Sequence, residues 1–133
     1  MKIKRISHIG IGVSEADKAK SLFQEMLGLP VTGMEMVGEV KTVFMPVGET
    51  NLELVQSTEP DGVIKKFIEK RGEGIHHLAF EVEDIDQALE ELKTKGVQLI
   101  DQKPRPGAHQ TRVAFLHPKG THGILVELVE SGH

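Results

Sequence analysis

The chain contains its own pattern twice. Setting His77 on His8, an offset of 69 residues, also sets Val82 on Val13, Asp86 on Asp17, Ala88 on Ala19 and Leu92 on Phe23. Further on, Leu52-Glu53-Leu54-Val55 matches Val126-Glu127-Leu128-Val129 at an offset of 74, so the second copy carries about five extra residues, which we place around 103–109. A chain of 133 residues is the size of one domain. The two copies therefore have to share it, and each must build the same small unit.

Local patterning says what that unit is. Residues 6–13 alternate apolar with small or polar types, a strand with Ile9, Ile11 and Val13 on one face and His8, Gly10 and Gly12 on the other. Ser14 as N-cap, with Asp17 in the place of a capping-box glutamate, opens a helix that carries Ala19, Leu22, Phe23 and Met26 at helical spacing. Gly28 ends it, with Pro30 beyond. Residues 40–46 and 52–56 read as strands joined by a turn at 47–50. In the second copy, 75–82 is a strand and 83–92 a helix closing at Gly96. Between the copies, 57–61 is a polar turn and 62–71 a short amphipathic linker helix with Val63 and Phe67, joined by Ile64 and Ile68, facing inward. One domain over 1–133 thus divides into a first βαβββ unit (1–56), a linker helix (57–73) and a second βαβββ unit (74–133). The class is α+β: the tandem units form a curved, partly closed mixed sheet with helices outside and a concave face free for a ligand. Three strands after each helix argue against a doubly wound parallel sheet.

Composition removes several function classes. A net charge of −4 leaves no footprint for nucleic acid. The absence of cysteine excludes a thiolate zinc site, a disulfide framework and a cysteine nucleophile, so any metal must use His and carboxylate. No apolar run approaches the roughly 20 residues of a membrane span, and 1–5 lead into no signal-peptide core, so a cytoplasmic location is expected. Without Tyr or Trp there is no aromatic platform for stacking bases.

Each copy places one histidine early in its first strand and one glutamate in its last: His8 with Glu53, and His77 with Glu127. Each glutamate lies between apolar residues and points away from the packing layer, where a buried charge is costly unless paired or metal-bound. A pseudo-two-fold axis relating the copies brings all four together. Two imidazoles and two carboxylates suit Co²⁺, Ni²⁺, Mn²⁺, Fe²⁺ or Zn²⁺, one ion per chain. His76 faces the other way from His77 and is expected to support a ligand or to be structural. His109, His117, His122 and His133 have no symmetric counterparts and read as structural or exposed.

The motifs Ile6-Ser7-His8-Ile9-Gly10-Ile11, Gly74-Ile75-His76-His77-Leu78-Ala79-Phe80, Phe115-Leu116-His117-Pro118-Lys119 and Gly123-Ile124-Leu125-Val126-Glu127-Leu128 carry a resemblance that covers nearly the whole chain. The chain resembles the vicinal oxygen chelate superfamily (glyoxalase, bleomycin resistance proteins, dioxygenases) and, within it, the methylmalonyl-CoA epimerase family. The resemblance implies interconversion of (R)- and (S)-methylmalonyl-CoA through proton abstraction at C2 and an enolate. It implies His8, His77 and Glu127 as metal ligands, Glu53 at the remaining ligand position, Glu127 as acid/base, Co²⁺ as the favoured ion, and a homodimer. One departure matters. Where some family members carry a second glutamate, on the strand before the Glu53 hairpin, this chain has Thr42, beside Lys41. Pairing that hairpin across Gly48-Glu49 sets Phe44 opposite Glu53 with Thr42 on the same inward face. The second proton carrier is left among a water held by Thr42, the nearby Glu39, and a one-base mechanism. Arg105, Arg112, Lys119 and the loop 104–110 are candidates for the coenzyme A arm. The rival functions are a glyoxalase-type lactoylglutathione lyase with a similar ligand set, an extradiol dioxygenase, which usually has a longer chain, and a metal-free ligand-sequestering protein, which has no reason to keep all four ligands.

Overall fold

The computed structural model describes residues 1–131. Along the chain run β1 (Ile3–Gly12), α1 (Ala16–Leu27), β2 (Gly33–Val37), β3 (Val40–Val47), β4 (Thr50–Ser57), α2 (Val63–Arg71), β5 (Gly74–Val82), α3 (Ile85–Thr94), β6 (Arg105–Pro106), β7 (Arg112–Leu116) and β8 (Val126–Glu130). This is βαβββ, a helix, and βαβββ again. Two compact units form, one of His8–His76 and one of Met1–Ser7 with the chain from His77 onward, so β1 contributes to both.

In the His8–His76 unit the strand order is β2-β3-β4-β1. β1 and β4 run parallel with Gly10 beside Glu53, and the β3–β4 hairpin sets Phe44 opposite Glu53, the register the sequence requires. The hairpin turns at Gly48, whose φ of 61° a side chain would resist. One face of this sheet presents Val43, Met45 and Leu54, which pack with Val13 and Ala16 and with Ile11 and Phe23 under α1. Ser14 does not cap α1. Glu15 occupies the N-cap without a side-chain bond, the Gln56 side chain accepts from the Ala16 N–H at 2.8 Å, and the Ser14 N–H is spent on Glu73. A tertiary partner from the end of β4 has replaced the local cap. Leu22 and Met26, although at helical spacing, are 53% and 73% exposed.

The other face of that sheet carries His8, Gly10, Gly12, Thr42, Phe44 and Glu53, and α2 lies against its Gly12 end. A Cβ on Gly12 would stand 3.2 Å from the Phe67 ring and 3.4 Å from Ile64, so glycine lets the helix approach. Ile64 is the buried anchor of α2, whereas Val63, expected inward, is exposed because it opens the first turn. The helix is fastened by Glu39, whose carboxylate accepts from Ser57 Oγ (3.1 Å), the Thr58 N–H (3.1 Å) and the Val63 N–H (3.3 Å). A Cβ on Gly62 would overlap that carboxylate and come within 2.6 Å of Ser57 Cβ. Gly62→Ala is therefore expected to lower the unfolding free energy by about 1–3 kcal/mol, read as a lower urea midpoint; an unchanged midpoint would show that this cap carries no stability.

The second unit repeats the plan in the order β1-β5-β8-β7-β6. β5 and β8 are parallel with Ala79 beside Glu127, the counterpart of Gly10 beside Glu53. α3 buries Ile85, Ala88, Leu89 and Leu92 against Val82, Ala114, Leu116 and Leu128. Its N-terminus is capped by Asp84, which accepts from the Gln87 N–H at 3.1 Å, and Glu130 accepts from the Ile85 N–H at 3.0 Å. Gln56 and Glu130 are 74 residues apart and Ala16 and Ile85 are 69 apart, so the anchoring of the helix start is itself duplicated. The extra residues of the second copy are not gathered at 103–109. Phe115 faces Glu127 as Phe44 faces Glu53, an intermediate offset of 71, which puts two of the five before β7 and three in the 3₁₀ turn Pro118–Gly120 and its flanks. Helices α1 and α3 cover one face of each sheet, and the opposite faces carry the candidate chemistry.

Candidate metal centre

Strand alternation places one imidazole and one carboxylate on the face of each unit away from α1 or α3. In the His8–His76 unit, His8 Nδ1 lies 3.4 Å from Glu53 Oε2. In the other, His77 Nε2 lies 3.2 Å from Glu127 Oε1. All four residues are buried, with exposures of 5–8%. Parallel pairing fixes both geometries, because each histidine stands two residues before the position that sits beside the glutamate.

The residues fit a divalent cation. Carboxylates buried beside imidazoles are costly unless positive charge reaches them. Two donors each about 2.1 Å from one ion lie roughly 3.0–3.4 Å apart, which is the separation of both pairs. Mixed imidazole and carboxylate donors suit a borderline first-row ion that can also polarise a carbonyl oxygen.

Aromatic rings stand beside the carboxylates. Phe115 is opposite Glu127 and meets the His77 ring edge-on at 5.8 Å, which fixes the imidazole plane, and Phe44 occupies the matching place beside Glu53. The guanidinium of Arg105 lies 5.2 Å over the Phe115 ring and 3.4 Å from Asp101. Phe115 was hidden in the sequence because it precedes its glutamate by twelve residues where Phe44 precedes its own by nine.

The remaining sequence candidates sort by face. Thr42 is buried, on the Phe44 and Glu53 face. Glu39 is committed to the start of α2, which removes it as a proton carrier. Lys41 turns to the α1 side and binds Asp17 at 3.1 Å, a hydrogen bond that holds the Asp17 carboxyl below its usual range. Arg112 also turns away from Glu127, to Asp86 and Glu130, because it is one residue out of phase with Phe115 and Val113. Lys119 is exposed in the Pro118–Gly120 turn, where His117 Nδ1 accepts its N–H at 3.1 Å. His76 meets Phe67 edge-on at 4.9 Å, and His109 and His122 are exposed residues with positive φ. His133 lies outside the described residues.

Glu81 was not singled out by the sequence, because an acid on an alternating strand reads as solvated. It is buried on the His77 face, 69 residues after Gly12. Burial pushes its carboxyl up, yet hydrogen bonds from Lys4 and Arg5 (2.9 Å from Arg5 Nε) prevail and hold it below its usual range. A depressed folded-state value gives stability that is present above the unfolded pKa and lost as pH falls through the folded one. Glu81→Gln is accordingly expected to flatten the loss of stability between neutral and acid pH, measured by urea unfolding at several pH values; an unchanged acid limb would place the acid sensitivity elsewhere.

Comparison with known proteins gives these features a context. The model of the Glyoxalase/Bleomycin resistance protein/Dioxygenase superfamily matches residues 7–115. The mitochondrial methylmalonyl-CoA epimerase of Mus musculus is 35% identical over 98% of this chain and 75% of its own length. The ethylmalonyl-CoA/methylmalonyl-CoA epimerase of Cereibacter sphaeroides is 35% identical over 95% of this chain and 97% of its own. Among solved structures, a Streptomyces coelicolor methylmalonyl-CoA epimerase variant in complex with 2-nitronate-propionyl-CoA superimposes with a TM-score of 0.94 at 33% identity, covering 98% of this chain and 96% of that one.

Proposed function

The chain belongs to the Glyoxalase/Bleomycin resistance protein/Dioxygenase superfamily and, within it, to the methylmalonyl-CoA epimerases, and from that premise we propose that it interconverts (R)- and (S)-methylmalonyl-CoA with His8, Glu53, His77 and Glu127 holding one divalent ion. The observation that carries this reading is the duplicated, buried imidazole–carboxylate pair in a chain similar to epimerases over nearly its whole length. Co²⁺ suits the donor set. No helix of the described residues is long and apolar enough to cross a membrane. We place the enzyme in the cytoplasm and infer a homodimer, and the second of these is supported by the apolar side chains that α1 and β2 leave exposed at Leu22, Met26, Leu27, Met34 and Met36.

C2 of the substrate carries a proton between a thioester and a carboxylate. When bound, the ion supplies a Lewis acid for the oxygen charge of the enolate. The protein's residues do the rest. Glu127 takes the C2 proton on one face, the electron pair of the C–H bond passes into the enolate, and reprotonation on the opposite face gives the other epimer. His77, its plane set by Phe115, holds Glu127 in register. Phe44 and Phe115 keep water from both carboxylates. Arg105, with the loop 104–110, meets the anionic coenzyme A arm. Incubation of one pure epimer with the metal-loaded protein, followed by chromatographic separation of the diastereomers, is expected to reach an equal mixture at catalytic protein concentration. Retention of the starting epimer would refute the proposal, and turnover of the glutathione hemithioacetal instead would identify a lactoylglutathione lyase.

A further inference from the structure

We propose that Glu35 is the second proton carrier of this enzyme, delivering and removing the C2 proton on the face opposite Glu127; the assignment rests on the epimerase reading above. Epimerisation requires proton transfer on two faces of a planar enolate. On the relevant face β3 carries Thr42 among the apolar Val40, Phe44 and Pro46, and a hydroxyl does not act as a base near neutral pH. Glu39 caps α2 and Lys41 is turned to Asp17, so neither reaches that face.

The edge strand β2 supplies what β3 lacks. Its antiparallel register sets Glu35 directly opposite Thr42. Opposed residues share a sheet face with Cβ atoms about 4.5–5.5 Å apart, so Glu35, Thr42, Phe44 and Glu53 project to one side. The alternation along β2 is the reverse of an ordinary solvated edge: Met34 and Met36 are 54% and 46% exposed while the acid between them is half-buried. An acid held inward on an edge strand keeps a route to bulk water, which a carrier needs to reset its protonation.

The duplication gives an independent reason to see more than sheet chemistry here. The counterpart of the Glu35–Thr42 pair is Arg105 opposite Val113. The two units agree at the His, the Glu and the opposed Phe, yet at this position one has a carboxylate and the other a guanidinium stacked on the site phenylalanine. Matched His, Glu and Phe positions with unlike edge groups suit a substrate whose coenzyme A arm meets the guanidinium while its C2 exchanges a proton near the carboxylate.

The step balances as proton transfer alone. In one direction Glu127 accepts the C2 proton, the C–H pair enters the enolate, and protonated Glu35 returns a proton to C2 from the other side. The enzyme is left with Glu127 protonated and Glu35 ionised, and solvent exchange restores it. The test is metal-loaded Glu35→Gln in D₂O, supplied separately with each pure epimer, with metal content and circular dichroism measured alongside. The expected result is C2 exchange within about threefold of wild type for one epimer only, interconversion reduced by about 10²–10⁴-fold, partial rescue by Glu35→Asp, and unchanged metal content. Interconversion within tenfold of wild type, or loss of exchange from both epimers together, would overturn the assignment of Glu35 while leaving the epimerase reading intact. Absence of exchange by the wild-type protein with either epimer would instead overturn that reading and this assignment with it.

Discussion

Glu127→Gln is expected to lose two to four orders of magnitude in turnover, the usual scale for a positioned acid or base, while retaining most of its metal. The substitution keeps an oxygen donor of the same shape beside His77 and removes only the titratable group. Glu53 makes the informative control. It occupies the equivalent place beside His8 and is equally buried, so a purely electrostatic or structural role would make the two glutamine variants alike. The two variants are expected to differ: Glu53→Gln should lower metal affinity more than it lowers turnover of the loaded enzyme. Steady-state rates on metal-saturated protein decide the matter, and a Glu127→Gln variant working at more than about a tenth of the normal rate would place the first proton carrier elsewhere.

The second large effect is expected on removing the ion. Chelation should lower turnover by at least about 10³-fold, the worth of several kcal/mol of charge stabilisation at the enolate oxygen. The fold should persist, because the apolar clusters under α1 and α3 contain none of the four proposed ligands. His8→Ala and His77→Ala should each abolish stoichiometric metal although they belong to different halves of the duplication, if the single proposed ion is held as above. Elemental analysis is the readout. Wild-type protein with two ions per chain, or either variant with full metal content, would contradict a shared site, and unfolding on chelation would show that the ion is structural.

Much of this was legible in the sequence because duplication and alternation report directly on sheet faces. The matched His and Glu positions fix the parallel β1–β4 and β5–β8 registers, and the Gly48-Glu49 turn fixes Phe44 opposite Glu53. What stayed hidden depends on tertiary partners or on broken pattern. Ser14 looked like a cap because capping motifs are local, but Gln56, forty residues away, makes the bond to Ala16. Glu39 looked available because its role as a cap for α2 joins segments 24 residues apart. Strand β2 was not recognised because methionines on its outer face invert the usual contrast, and Glu35 was lost with it. The uneven loops of the second copy concealed Phe115 and Arg105 as counterparts of Phe44 and Glu35.

Epimerase activity is tested most directly by following the C2 proton of methylmalonyl-CoA by NMR in D₂O with the metal-loaded wild-type protein. The expected result is catalytic replacement of that proton by deuterium, accompanied by the second epimer; in the Glu127→Gln variant exchange persists only for the epimer whose C2 proton faces Glu35, and the second epimer no longer accumulates. A C2 signal that persists at catalytic protein concentration, in protein carrying one divalent ion per chain, would contradict it.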